Sequence, residues 1–426
     1  MASISSRVSA LYSKIQDLAQ LGTDKALRRV WTACIFIAMD DLGNAAVSSS
    51  RPRTTKTRKS LAPISTWKFV FDNDDDDEKL GEGPHAYVTK VRHRTTGKTF
   101  AMKTLFEDEE EEVANLHVLR EACLMVACRG HPSVVRLHAV CTEPVTDRYC
   151  LLMEQVGPTL CEVMAHQRHG ASFVEHYVRR VMRQVLSGAK AMHDRGIVHR
   201  NIHSQNVLVA AGGDVVKIGG FGQATCVSQR VECQIEMWDK APEVLLLGEG
   251  ALESELLDSW LIGCLMAELL TGEVLFMVND RENNTRETQL RNIFDVLSVP
   301  GKRAVHEMKP RDLELAQQVQ EWRAQRGAGK PQTNNYRLRE LVPPEVLSDD
   351  GFRVLRGLLT CNPKRRLTAG AALRLPWFAH NDDDSPAAEV SQQVRAPVSR
   401  PWPFTWLLVI VLVLLCLVVF VCVGSR

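Results

Sequence analysis

The chain changes character at Trp67. From there to about residue 105, short β-type runs alternate with turn signals, and a helix-rich stretch with few strands then continues to about residue 378. At 426 residues the chain is long enough for two lobes or two domains plus tails. Its 45% hydrophobic and 24% charged content is that of an ordinary globular protein. Lysine plus arginine (52) nearly equals aspartate plus glutamate (51), which removes any whole-chain electrostatic argument for nucleic-acid binding. The 12 cysteines show no CxxC pair and no Cys/His grouping at zinc spacing, a pattern of reduced thiols in a cytosolic domain.

The two ends read differently from the middle. Residues 1–66 form an N-terminal helix and basic linker: Val8, Leu11, Ile15, Leu18 and Leu21 recur at helical spacing. That helix serves either a partner or membrane surface, or simply packs on the domain. "SSSRPRTTKTRKS" (48–60) is a solvated spacer or a site for phosphorylation or anionic lipid. Residues 379–403 form a polar, Pro-containing linker. From Trp406 to Val423 the run "WLLVIVLVLLCLVVFVCV" carries no charge, Pro or Gly. With its flanks, 404–424, it is expected to span a bilayer as a single-pass C-terminal anchor, the alternative being a buried core helix. The N-terminus lacks a signal-peptide pattern, so the folded part is expected on the cytosolic side of the endoplasmic reticulum or another cytosol-facing membrane.

Within residues 67–378, chemistry-bearing pieces appear in order. "LGEGPHAYVTKV" (80–91) is a Gly-rich turn between strand-like runs, whose glycines would let backbone N–H groups approach phosphate oxygens. "KTFAMKTL" (98–105) places Lys103 in an alternating apolar strand, where an ammonium needs an anionic partner; Glu121 on the next helix can supply one. There follow "YCLLMEQVG" (149–157), "AMHDRGIVHRNIHSQNVLV" (191–209), "VVKIGGFGQAT" (215–225), "MWDKAPEVLL" (237–246), "DSWLIGCLMAELLTGEVLF" (258–276) and "CNPKRRLTAGAALRLPWF" (361–378). In this order and spacing they resemble the eukaryotic protein kinase family. "LRNIFDVLSVPGK" (290–302) further resembles its cyclin-dependent-kinase-like branch.

The resemblance implies an α+β, bilobal fold: a β-rich N-lobe and a helical C-lobe with ATP between them. It implies that Gly81 and Gly83 lie over the phosphates, that Lys103 holds them and pairs with Glu121, that Met153 sits at the back of the adenine pocket, and that Val88, Ala101 and Leu208 also bind ATP. Glu154 to Val156 would form the hinge. His199 and Arg200 would support the catalytic loop, with Asn206 as a metal-binding amide. Glu243 would pair with Arg366, and Asp258 would brace the loop from its helix.

The departures cluster. The proton-accepting aspartate of the family is Asn201 here, the phosphate-contacting lysine is His203, and the metal-binding aspartate of "DFG" is Gly220. The activation-segment threonine aligns with Glu236, and the phospho-acceptor region near Val231 or Glu232. Loss of a general base costs ~10²–10⁴-fold in rate. Loss of the carboxylate is worse, since Mg²⁺ favours carboxylate oxygen and Asn206 is a neutral ligand. The expectation is therefore a membrane-anchored pseudokinase, a scaffold or allosteric regulator with weak or metal-independent ATP binding and without a full Mg²⁺ site. The alternative is an active Ser/Thr kinase with an atypical site. Its protein partners (kinase, substrate or cyclin-like) are not named by the sequence. Asp214 or Glu236 is a conceivable substitute carboxylate, and restoring aspartate at 201 and 220 together is expected to return some phosphotransfer.

Overall fold

The computed structural model describes residues 64–65 and 69–71, and residues 79–379 except 107–110, 143–147, 167–171, 227–234, 248–253, 279–284, 309 and 328–335. The expected N-terminal helix, the basic linker and the apolar run 404–424 lie outside the described residues. Among the described residues no helix is long and apolar enough to cross a membrane.

The first lobe is a seven-stranded sheet: β1 (Ile64–Ser65), β2 (Phe69–Phe71), β3 (Lys79–Glu82), β4 (Ala86–His93), β5 (Thr99–Leu105), β6 (Leu137–Thr142) and β7 (Tyr149–Met153). The strand order is β1-β6-β7-β5-β4-β2, with β3 also paired to β4. β1 joins the edge in parallel with β6, whereas the other pairings are antiparallel. Strand periodicity explains the two faces of β5. Phe100 and Met102 pack with Val91, Cys141, Cys150 and Leu152 in a small outer cluster. Ala101 turns the opposite way, into the main core, and Lys103 shares its face. The register Val88↔Lys103 and Ala101↔Met153 brings these residues side by side at the centre of the sheet.

Behind the sheet lies α1 (Glu111–Ala127), anchored by Ala114, Val118, Leu119, Ala122 and Met125 in the main core. Its Asn115 Oδ1 accepts from the Tyr149 amide at 2.7 Å, which pins the helix to β7. The second lobe is helical. α2 (Leu160–His166) leads into α3 (Glu175–His193), which buries Tyr177, Val178, Val181, Met182, Val185, Leu186 and Ala189, one stripe at helical spacing. α4 (Pro242–Leu247) precedes α5 (Glu255–Thr271), which is apolar all round and buried almost throughout. Ser254 caps the start of α5 by accepting from the Leu256 amide, and Gly272, at φ +79°, ends it. Two short ribbons sit where the lobes meet: β8 (Ile197–Val198) pairs with β11 (Thr225–Cys226), and β9 (Val207–Val209) with β10 (Val216–Ile218). The loop between β8 and β9 and the turn between β10 and β11 are thereby held next to one another.

Candidate active site

Asp258, fully buried on α5, organises the loop that carries His199 to Asn206. It accepts the main-chain N–H groups of His199 (2.8 Å) and Arg200 (2.7 Å) and the Nε2 of His193 (2.8 Å). Burial works to raise its carboxyl, but the bond and charge of His193, with His199 beside it, hold it below the usual carboxylate range. Arg200 sits at φ +66°, a conformation few non-glycine residues adopt, and the Asp258 bond secures it there. His199 is fully buried, bonds the Gly219 carbonyl through Nε2 at 2.8 Å and meets the ring of Phe221 edge-on at 5.0 Å. On the far side of α5, Arg366 clasps Glu243 of α4 bidentately at 2.6 and 2.7 Å. Arg366 is buried, so removal of either partner would strand a charge.

The upper half of the cleft holds the expected binding residues together. Lys103 Nζ lies 2.9 and 2.7 Å from the two oxygens of Glu121. Ala101 and Met153 are buried, and Val88, Val156 and Leu208 pack partly buried on the same core. Glu154, leaving β7, is fixed by the Arg136 amide (2.7 Å) and by Lys217 Nζ (2.7 and 2.8 Å). Gly81 and Gly83 face open space: a Cβ on Gly81 would meet nothing within 4 Å, and one on Gly83 only the Ala86 carbonyl at 3.8 Å. Packing does not demand glycine at either position. The turn after β3 closes on itself, however, because the Gly83 N–H donates to the Ala86 carbonyl at 2.8 Å. The next residue, Pro84, has no N–H to offer.

The lower half differs. Gly220 sits at φ +71°, and a Cβ there would overlap the carboxamide of Asn206. Asn206 thus fills the space that a side chain at 220 would need. Its Nδ2 donates to the Asn201 carbonyl and to His203 Nε2, both at 2.9 Å. This arrangement requires the His203 proton on Nδ1 and a neutral ring. Burial, with His199 adding to it, lowers the His203 pKa to about 4. The groups at 201, 203, 206 and 220 are therefore two amides, a neutral imidazole and a bare backbone. That donor set does not match the anionic oxygens that Mg²⁺ favours. The two conceivable substitutes are placed elsewhere. Asp214 pairs with Arg180 of α3 at 2.9 Å, and Glu236 is exposed at the start of the single turn Met237–Asp239. Val231 and Glu232 lie outside the described residues.

Three contributors escaped the sequence reading. Arg120, directly before Glu121, reaches from α1 to the carbonyls of Gly222 (2.9 Å) and Ala224 (3.1 Å), while Arg200 Nε donates to Gln223 at 2.6 Å. Two arginines therefore hold three successive carbonyls after Gly220. His193 could have been read from "AMHDRG", six residues before His199, but its bond to Asp258 is non-local. The third is Ser204, whose hydroxyl donates to Glu268 of α5 at 2.8 Å. Glu268 is raised by burial, and Asp239 nearby is raised to about 7 by burial and by the charges of Glu268 and Glu236.

A family model described as protein kinase domain matches residues 75–378. The chain is 37% identical over 332 residues to a rice protein described as putative cyclin-dependent kinase F-2, covering 74% of this chain and 92% of the relative. It is 33% identical over 327 residues to cell division control protein 2 homolog 2 of Trypanosoma brucei brucei (75% and 85%). Cyclin-dependent kinase 4 of Xenopus laevis is 30% identical over 323 residues (74% and 92%). With the bilobal fold and the Lys103–Glu121 pair already in place, the chain belongs to the protein kinase family, in its cyclin-dependent-kinase branch.

Proposed function

We propose that this protein is a pseudokinase, a kinase-fold scaffold or allosteric regulator that acts through protein contacts rather than phosphotransfer. One observation carries the reading: Asn206, the remaining metal-binding position, is turned onto Gly220 and bonded to Asn201 and His203. Phosphoryl transfer depends on positioning and on neutralising charge around the phosphates. Here the carboxylates are absent from 201 and 220, and His203 supplies no cation at neutral pH. Mg²⁺ has no fitting donor set, so no catalytic step is assigned to it. Residues 404–424 anchor the domain to a cytosol-facing membrane, the endoplasmic reticulum being favoured by the shortness of the run. The relatives' names point to a cyclin-like partner, whose identity rests on experiment.

A second reading has its own support. The Lys103–Glu121 pair and the buried Phe221 against His199 are arranged as an active Ser/Thr kinase would need them. Transfer of the γ-phosphate of labelled ATP by the full chain, compared with its Lys103→Ala variant, separates the two. Equal, background-level transfer is expected; Mg²⁺-dependent transfer lost in the variant would establish the second reading. Deleting residues 404–426 should move the protein from the membrane to the soluble fraction, and a full-length chain that is already soluble would refute the anchor.

A further inference from the structure

The two ends of the cleft favour different parts of a nucleotide. Val88, Ala101, Met153 and Leu208, the residues expected to line an adenine slot, are apolar and pack on one core, placed there by the β4–β5–β7 register and the β9–β10 ribbon. A flat heteroaromatic base suits such a slot. The phosphate end offers little. Its one cation, Lys103, is held in place by both oxygens of Glu121. The Gly83 N–H is spent within its own turn, and Pro84 has none. Asn206 donates inward to Asn201 and His203, and its carboxamide occupies the ground above Gly220. A triphosphate would bring several negative charges to a place with Lys103 as its cation and, at 201, 203, 206 and 220, no carboxylate to hold a metal, and desolvating them without compensation is costly.

Building on the non-catalytic reading above, we infer that the cleft takes an adenine nucleoside or nucleoside monophosphate without a divalent cation, in preference to a metal–triphosphate. One phosphate can lie against the Lys103 ammonium. Each further phosphate adds negative charge that no carboxylate-held metal at 201 or 220 would neutralise. The order of affinity is therefore adenosine and AMP first, then ADP, then ATP, and Mg²⁺ does not reverse it.

Isothermal titration of the full-length chain in lipid nanodiscs at fixed ionic strength tests this order with adenosine, AMP, ADP, ATP and ATP with Mg²⁺. Adenosine and AMP should agree within about threefold, and ATP with Mg²⁺ should bind at least about tenfold more weakly, a gap of roughly 1.4 kcal/mol. Ala101→Phe should abolish binding of all five while a cooperative melt is retained. His203→Lys, which restores a cation at the loop, should narrow the gap between adenosine and ATP several-fold. Tighter binding of ATP with Mg²⁺ than of adenosine would overturn the inference. Without phosphotransfer that result leaves the non-catalytic reading standing, and with phosphotransfer it ends both. Failure of every ligand to bind also overturns the inference, again without touching the non-catalytic reading.

Discussion

Two glycines face the same cleft and obey different constraints. Gly81, in the turn over the upper half, has a conformation open to other residues and empty space where a Cβ would go. Gly220, in the lower half, has a left-handed backbone and an amide pressed against it. The first is glycine without any demand from packing. The second is closed in by its neighbour: the Asn206 carboxamide lies where a Cβ at 220 would go. The upper half holds the Lys103–Glu121 pair, while the lower half bonds Asn206 inward to Asn201 and His203. Beneath both, the Asp258 and Glu243–Arg366 contacts hold the fold regardless of chemistry.

The largest expected effect lies in that shared foundation. Asp258→Ala leaves two buried N–H groups and His193 without their acceptor, and should cost more than about 4 kcal/mol in urea unfolding. A loss under about 1 kcal/mol would mean that the loop does not depend on this brace. Next is Gly220→Ala, which carries the left-handed penalty of about 1–2 kcal/mol together with the overlap on Asn206. Combining it with Asn206→Gly should remove the overlap and leave the backbone part, a coupling of roughly 1 kcal/mol in a double-mutant cycle. Strict additivity would show that the two residues are independent and that Asn206 does not close the space at 220.

The pH dependence sharpens the contrast further. The folded pKa of His203, about 4, lies below the ordinary 6.5, so the fold loses stability as pH falls from about 6.5 to 4. His203→Asn should flatten that acid limb by up to about 3 kcal/mol. Asp239 has the opposite sign for its class of group: its folded pKa of about 7 lies above the ordinary 3.8, so the fold is unpenalised below about pH 4 and loses stability as pH rises towards 7. Asp239→Asn should therefore stabilise by about 1–3 kcal/mol at pH 8 and leave pH 4 unchanged. Chemical denaturation across the pH range reads both limbs. The smallest effect is expected at Gly81→Ala, within about 0.5 kcal/mol of the parent in stability.

Much of this was legible in the residues. The ordered motifs carried the bilobal fold, and the pairing partners Lys103–Glu121 and Glu243–Arg366 stand within bonding distance. The identities of Asn201, His203 and Gly220 were equally plain. What sequence could not carry was the response of neighbours. The sequence reads Asn206 as a metal-binding amide and Gly220 as a lost carboxylate, and it does not show that Asn206 lies against Gly220, because a side-chain rotamer depends on the space beside a residue fourteen positions away. For the same reason, returning aspartate to 201 and 220 is a larger change than the motifs suggest. The new side chain at 220 must displace Asn206 before any metal ligand is restored. The reach of Arg120 to the carbonyls of Gly222 and Ala224, and the parallel pairing of β1 with β6, are also non-local and leave no periodic trace.

The account turns on the lower half of the cleft, and Mn²⁺ reports on it without requiring turnover. Electron paramagnetic resonance of Mn²⁺ titrated into the full-length chain, with a non-hydrolysable ATP analogue present, counts protein-bound metal directly. The expected result is the spectrum of free and nucleotide-bound Mn²⁺ alone, unchanged by the protein. A stoichiometric, protein-dependent Mn²⁺ signal that disappears in Asn206→Ala would contradict the account, because Asn206 would then be a metal ligand rather than the residue that closes the site.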